Sequence, residues 1–147
     1  SIEIYNNNAN IKRIIDPLSE YLSPTLVGLN NIGAACFMNS TLQCLSQTKD
    51  LTKYFLNANN EEEIYNNNFA LQDRNSLQLS PIYHKLVSRL WAKNGEQSFS
   101  PNDFMNVIEQ MNPLFKLGQA GDSKDFIIFI LEQFHKELKK PVNYQNQ

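Results

Sequence analysis

Two Ser-Pro steps, Ser80-Pro81 and Ser100-Pro101, each open a stretch whose apolar residues return every three or four positions, and this punctuation commits much of the chain to helices. Ser80 as N-cap and Pro81 at the first helical position predict a helix over 80–93. Its apolar face is Ile82, Tyr83, Leu86, Val87, Leu90 and Trp91, and Asn94 and Gly95 stop it. Ser100 and Pro101 open the next, with Asp103 in its first turn, one face of Phe104, Val107, Ile108 and Met111, and an end at Asn112 and Pro113. A third helix should begin near Asp122. Phe126, Ile130, Phe134 and Leu138 recur by four there, Ile127 and Phe129 widen the face, and Lys139, Lys140 and Pro141 close it. Upstream, CFMNSTLQCLSQ reads as about three helical turns, LTKYFLN as a short helix and IKRII as one further turn. No strand alternation, hairpin dipeptide or internal repeat is visible, so a mainly α unit is expected. The polar, Asn-rich stretch 57–76, broken by EEEIY, reads as a long loop or a helix without clear limits, the loop being preferred.

Composition narrows the function. A chain of 147 residues has room for one core. Thirteen basic against fifteen acidic residues leave a charge of -2, which provides no electrostatic footprint for nucleic acid or an anionic bilayer, and no apolar run is long enough for a membrane span. SIEIYNNNANIKRIIDP lacks a basic segment followed by an apolar one, so no secretory leader is expected. The 20 Asn gather at Asn6 to Asn8, Asn57 to Asn60 and Asn66 to Asn68, where they suit solvated loops.

Cys36 and Cys44 are the two cysteines. On one helix they stand ~12 Å apart, beyond the roughly 7 Å limit for a disulfide. Reduced thiols are therefore expected, as in an intracellular protein, cytoplasmic or nuclear. Without paired CxxC or CxxH spacing they make no zinc site, and no metal or other cofactor is implied. Cys44, between Leu42-Gln43 and Leu45, reads as a small buried hydrophobe. Cys36 differs, because VGLNNIGAACFMNS leads a turn of Gly, Asn and Ala straight into a helix start. Unpaired N–H groups and the positive end of the helix dipole there favour a nucleophilic thiolate. Gly33, Ala34 and Ala35 leave room for a substrate backbone, and the Asn31 amide could face the oxyanion formed on attack at a carbonyl, with the Cys36 N–H as a second donor. Asn31 equally suits an ordinary turn residue ahead of a helix.

GLNNIGAACFMNSTLQCL closely resembles the cysteine box of the ubiquitin-specific proteases, papain-like deubiquitinating enzymes. Gly28, Leu29, Asn31, Gly33, Cys36, Phe37, Met38, Asn39, Ser40, Leu42 and Gln43 all fall where that box has them. SPNDFMNVIEQMNPLFKLGQAGDSKDFIIFILEQFHKEL is similar to a second segment of the family: a Ser-Pro helix, an Asn-Pro-x-Phe turn and an acidic helix start. The resemblance implies the helical thumb subdomain of a papain-like cysteine protease over 24–140, without the β-rich fingers and palm. Residues 1–23 would be an N-terminal extension, and 141–147 the start of the connection onward. It also implies Cys36 as nucleophile and Asn31 as oxyanion-hole donor, with Asp122 and Asp125 holding the basic tail of ubiquitin. The same two carboxylates, three residues apart at a helix start, also suit N-cap and N3 positions.

Several positions depart from the family's pattern. Ala35 stands where Thr is usual, Ala120 and Gly121 where two Gln are usual, and Asp125 where Glu is usual. A Cys protease also needs a base at its thiol. The two histidines are His84, in the helix over 80–93, and His135, where the family has a thumb-helix His unrelated to catalysis. The resemblance thus implies a cysteine-type deubiquitinase in the parent protein, hydrolysing the (iso)peptide or ester bond after ubiquitin's C-terminal Gly. This chain would carry the nucleophile but be inactive alone. Its partners would be ubiquitin, ubiquitinated proteins and the remainder of the catalytic domain. The alternative for the same residues is a catalytically inactive ubiquitin-binding or scaffold module.

Overall fold

The computed structural model describes residues 27–65, 77–92 and 94–140. In chain order it contains β1 (Gly28–Leu29), α1 (Cys36–Ser46), α2 (Lys49–Leu56), a 3₁₀ turn (Ala58–Asn60), α3 (Glu61–Tyr65), α4 (Leu79–Trp91), β2 (Ser98–Phe99), α5 (Asn102–Met111) and α6 (Ser123–Leu138). The mainly α architecture expected from the helical periodicity is what is found, and it is consistent with the thumb-like portion that the resemblance implies. IKRII, the 1–23 extension and the 141–147 segment lie outside the described residues.

The four-residue spacing of Phe126, Ile130 and Phe134 makes α6 the central element. All three are buried, and α6 packs against α1, α3 and α4. Each such side chain taken from water contributes about 1.5–3 kcal/mol. Two aromatic groups divide the core. Phe37, Phe115, Phe126 and Phe129 pack around the starts of α1 and α6, with Phe37 and Phe126 edge to face at 5.5 Å between centroids. Phe55, Tyr83, Phe104 and Phe134 fill the other end, Phe55 lying 4.7 Å from Tyr83. From α1, Met38, Leu42 and Leu45 point into the core.

Where the structure differs from the sequence reading, a tertiary contact is usually the cause. β1 and β2 form a parallel pair, Gly28 with Ser98 and Leu29 with Phe99, although no strand was expected. Two residues are too few to show alternation. The pair is extended by Gly28 N–H to Gln97 O and Asn30 N–H to Phe99 O, both 2.8 Å. Arg89 of α4 fastens its outer side: its guanidinium lies 4.1 Å over the Phe99 ring and binds Glu96 through both Nε and Nη2. Helix α4 begins at Leu79 with Gln78 as N-cap, so Ser80 and Pro81 lie inside its first turn rather than at cap and opening. It ends at Trp91 rather than at 93. At α5 the cap position falls on Pro101, and Ser100 instead accepts a hydrogen bond from Asn30. The loop reading of 57–76 is corrected over its first part, where the 3₁₀ turn and α3 bury Ile64; residues 66–76 lie outside the described set. Leu138, expected on the buried face of α6, is half-buried, and Glu137 occupies the buried position beside it.

Candidate functional site

The candidate site forms where β1 hands the chain to α1. After Asn30 the backbone turns through Gly33 and Ala34, both at positive φ (106° and 49°), and Ala35 enters α1 at the N-cap position. Gly33 takes a φ that side chains rarely adopt, and an added Cβ there would rest 3.7 Å from Gly118 Cα, so the loop before α6 closes over this turn. Cys36 is the first residue of α1, exposed and free of any disulfide. Ala35 has no side chain that could cap the helix, and α1 begins without a side-chain cap hydrogen bond.

Asn31 binds the turn that precedes the helix rather than capping the helix itself. Its Oδ1 accepts from Gly33 N–H at 3.1 Å and Ala35 N–H at 3.2 Å. Both readings of Asn31 therefore meet in one side chain. The carbonyl oxygen serves the turn, which fixes the amide plane and leaves Nδ2 as a donor on an exposed residue with no acceptor among the described residues. The Cys36 N–H is likewise without an acceptor there.

Helix α6 brings its acidic start to the same place. Ser123 Oγ lies 3.5 Å from Phe37 O, and Gly121 lies against the Phe37 ring. Asp122 is the N-cap: Oδ1 accepts from Lys124 N–H at 2.7 Å and Asp125 N–H at 3.1 Å. Its Oδ2 and the whole Asp125 carboxylate have no partner among the described residues, and both residues are exposed. Capping thus uses one of four carboxylate oxygens and leaves three able to accept from a further donor.

Neither histidine joins this site. His135 lies in the last turn of α6, twelve residues past Ser123 and so ~18 Å along the axis. His84 bonds the Tyr65 hydroxyl through Nδ1 at 2.8 Å, and burial holds its imidazole below the usual range, with nearby Glu61 partly opposing. Cys44 is exposed, not the small buried hydrophobe its Leu neighbours suggested. On a helix, flanking apolar residues belong to another face, and Gln43 and Cys44 turn away while Leu42 and Leu45 point inward. Among the described residues no three His, Cys, Asp or Glu side chains converge as metal ligands.

Two residues of α1, Asn39 and Gln43, tie the helix to the strand segment before the turn, contacts for which the sequence alone suggests no role. Asn39 Nδ2 donates to Leu29 O and Asn30 O, and Gln43 Nε2 to Val27 O at 3.1 Å. The available signal is spacing: positions 39, 40 and 43 fall three, four and seven residues after Cys36, on its side of the helix.

The family described as ubiquitin carboxyl-terminal hydrolase matches residues 27–147. Over 126 residues the chain is 35% identical to ubiquitin carboxyl-terminal hydrolase 4 of Mus musculus, covering 85% of this chain and 13% of the relative. It is 36% identical over 116 residues to probable ubiquitin carboxyl-terminal hydrolase 1 of Schizosaccharomyces pombe, covering 78% and 13%. With ubiquitin carboxyl-terminal hydrolase 15 of Homo sapiens it shares 34% over 119 residues, covering 80% and 12%. The chain thus spans about an eighth of the length of these relatives.

Proposed function

The chain belongs to the ubiquitin carboxyl-terminal hydrolase family, and on that premise we propose that it is the nucleophile-bearing part of a thiol-dependent deubiquitinase. The Cys36 thiolate attacks the carbonyl carbon of ubiquitin's C-terminal Gly, in peptide, isopeptide or ester linkage. The oxyanion that forms is received by Asn31 Nδ2 and the Cys36 N–H. Collapse expels the amine or alcohol, which takes up a proton, and water then hydrolyses the acyl-thioester to regenerate the thiol. Asp122 and Asp125 hold the basic residues of the ubiquitin tail as it runs into the turn. The base that activates Cys36 and the water comes from the remainder of the catalytic domain, since His84 is tied to Tyr65 and His135 sits at the far end of α6. The setting is intracellular, where an exposed thiol stays reduced.

The observation that carries this reading is an exposed thiol at a helix start without a side-chain cap, five residues after an exposed Asn whose oxygen is engaged by the turn and whose amide donor has no acceptor among the described residues. The test uses the full-length protein and a ubiquitin bearing a C-terminal electrophile. A covalent adduct forms on Cys36 and is lost in Cys36→Ala, and residues 1–147 alone give no steady hydrolysis. Equal labelling of the Cys36→Ala protein would overturn the reading.

A further inference from the structure

We propose that Asn39 is a positioning residue: from the second turn of α1 it fixes the backbone on which Asn31 stands, and so sets the oxyanion donor against the Cys36 thiol. The rate consequence rests on the deubiquitinase reading, whereas the placement rests on geometry alone.

Asn31 follows a two-residue strand and precedes a turn with two residues at positive φ. Its own Oδ1 bonds hold the side chain to that turn, not to α1. The side chain reaching from α1 to the segment just before Asn31 is Asn39, whose Nδ2 spans Leu29 O at 3.3 Å and Asn30 O at 3.0 Å. Asn39 lies three residues after Cys36, on the same face of the helix. One amide thus ties the donor's backbone to the nucleophile's helix. On the opposite edge Asn30 is held by Phe99 O and Ser100 Oγ, so the segment is clamped from both sides. The arrangement carries a cost, because Asn39 Oδ1 is buried without a partner. A position selected for stability alone would shed an unsatisfied buried acceptor; here the amide is needed for its two donor hydrogens.

The experiment is steady-state hydrolysis of a fluorogenic ubiquitin C-terminal amide by the full-length protein. Asn39→Ala should lower kcat about tenfold with KM within about twofold, a fraction of the 10²–10³ expected for losing an oxyanion donor in Asn31→Ala. The double variant should be no slower than Asn31→Ala alone, because Asn39 acts through Asn31. Additive losses, an unchanged kcat, or an equal kcat loss in Gln43→Ala, which releases only Val27 O, would each overturn the proposal. If Asn39→Ala loses its helical circular dichroism, Asn39→Ser, whose hydroxyl is too short to span both carbonyls, is judged by the same criteria. If Cys36→Ala leaves hydrolysis intact, the deubiquitinase reading fails, and Asn39 is then judged by NMR. The Asn31 side-chain NH₂ resonance, assigned by its loss in Asn31→Ala, should shift or broaden in Asn39→Ala. An unmoved resonance sinks the placement.

Discussion

A Cβ built on Gly121 would stand 2.9 Å from Phe37 Cε2, closer than real side chains approach. The ring has little freedom to yield, since it stacks on Phe115 at 5.9 Å and meets Phe126 edge to face. Glycine is therefore what lets the loop before α6 press against the helix that carries Cys36, at a position where the resemblance suggests Gln. Gly121→Ala should destabilise the chain by about 1–3 kcal/mol through overpacking, read from urea unfolding. Trimming the ring with Phe37→Leu should recover part of that loss, and simple additivity of the two substitutions would refute the contact. Such close approach has no signature in a single sequence. Asp122 is the opposite case: a short acceptor followed by a helical face is a local arrangement, and it caps α6 where the sequence places it. The exposure of Cys44 is hidden in the linear sequence, because its neighbours there are not its neighbours on the helix surface.

Helix α4 shows how an element can begin for reasons its own residues do not contain. Its first two N–H groups, at Leu79 and Ser80, donate to Oε2 and Oε1 of Glu137 at 3.0 and 2.8 Å. Glu137 is 1% exposed and continues the buried row of Phe126, Ile130 and Phe134, so the core face of α6 ends in a carboxylate where it meets the N-terminus of α4. A negative charge at a helix start is favourable, and both oxygens are occupied by otherwise orphaned donors. Glu137→Ala should cost about 2–4 kcal/mol, since it leaves two backbone donors without their acceptor, each worth about 1–3 kcal/mol when buried. A drop below about 0.5 kcal/mol in urea titration would show that water replaces the cap. Helix existence was legible from apolar periodicity for α1, α2, α4, α5 and α6, because their faces repeat within the element. The start of α4 and the β1–β2 pair were not, because their partners lie 57 and 70 residues away in the chain.

At the scale of the whole molecule, the site and the far end of the core are held by different means. Near Cys36 the segments are laced by Asn and Gln amides. At the other end α3 is the junction: Glu63 accepts from Tyr54 of α2 at 3.0 Å and pairs with Lys140 at 3.2 Å, while Tyr65 bonds His84 of α4. Five residues make a helix too short to stand by itself, so α3 depends on these ties and on buried Ile64. One of the ties titrates. Burial holds the folded-state imidazole of His84 below its ordinary value, whereas in the unfolded chain it protonates near pH 6.5. Below about pH 6.5 the unfolded chain therefore binds more protons than the folded one, and stability falls with pH until the folded-state value is passed. Above that range His84 contributes no pH dependence. The urea midpoint of the native chain should decline more steeply between pH 6.5 and 5 than that of His84→Gln, which keeps a hydrogen-bonding side chain but cannot charge. Parallel profiles would mean that Tyr65 and His84 separate without consequence, and that Ile64 and the Glu63 pairings alone hold α3 to the core.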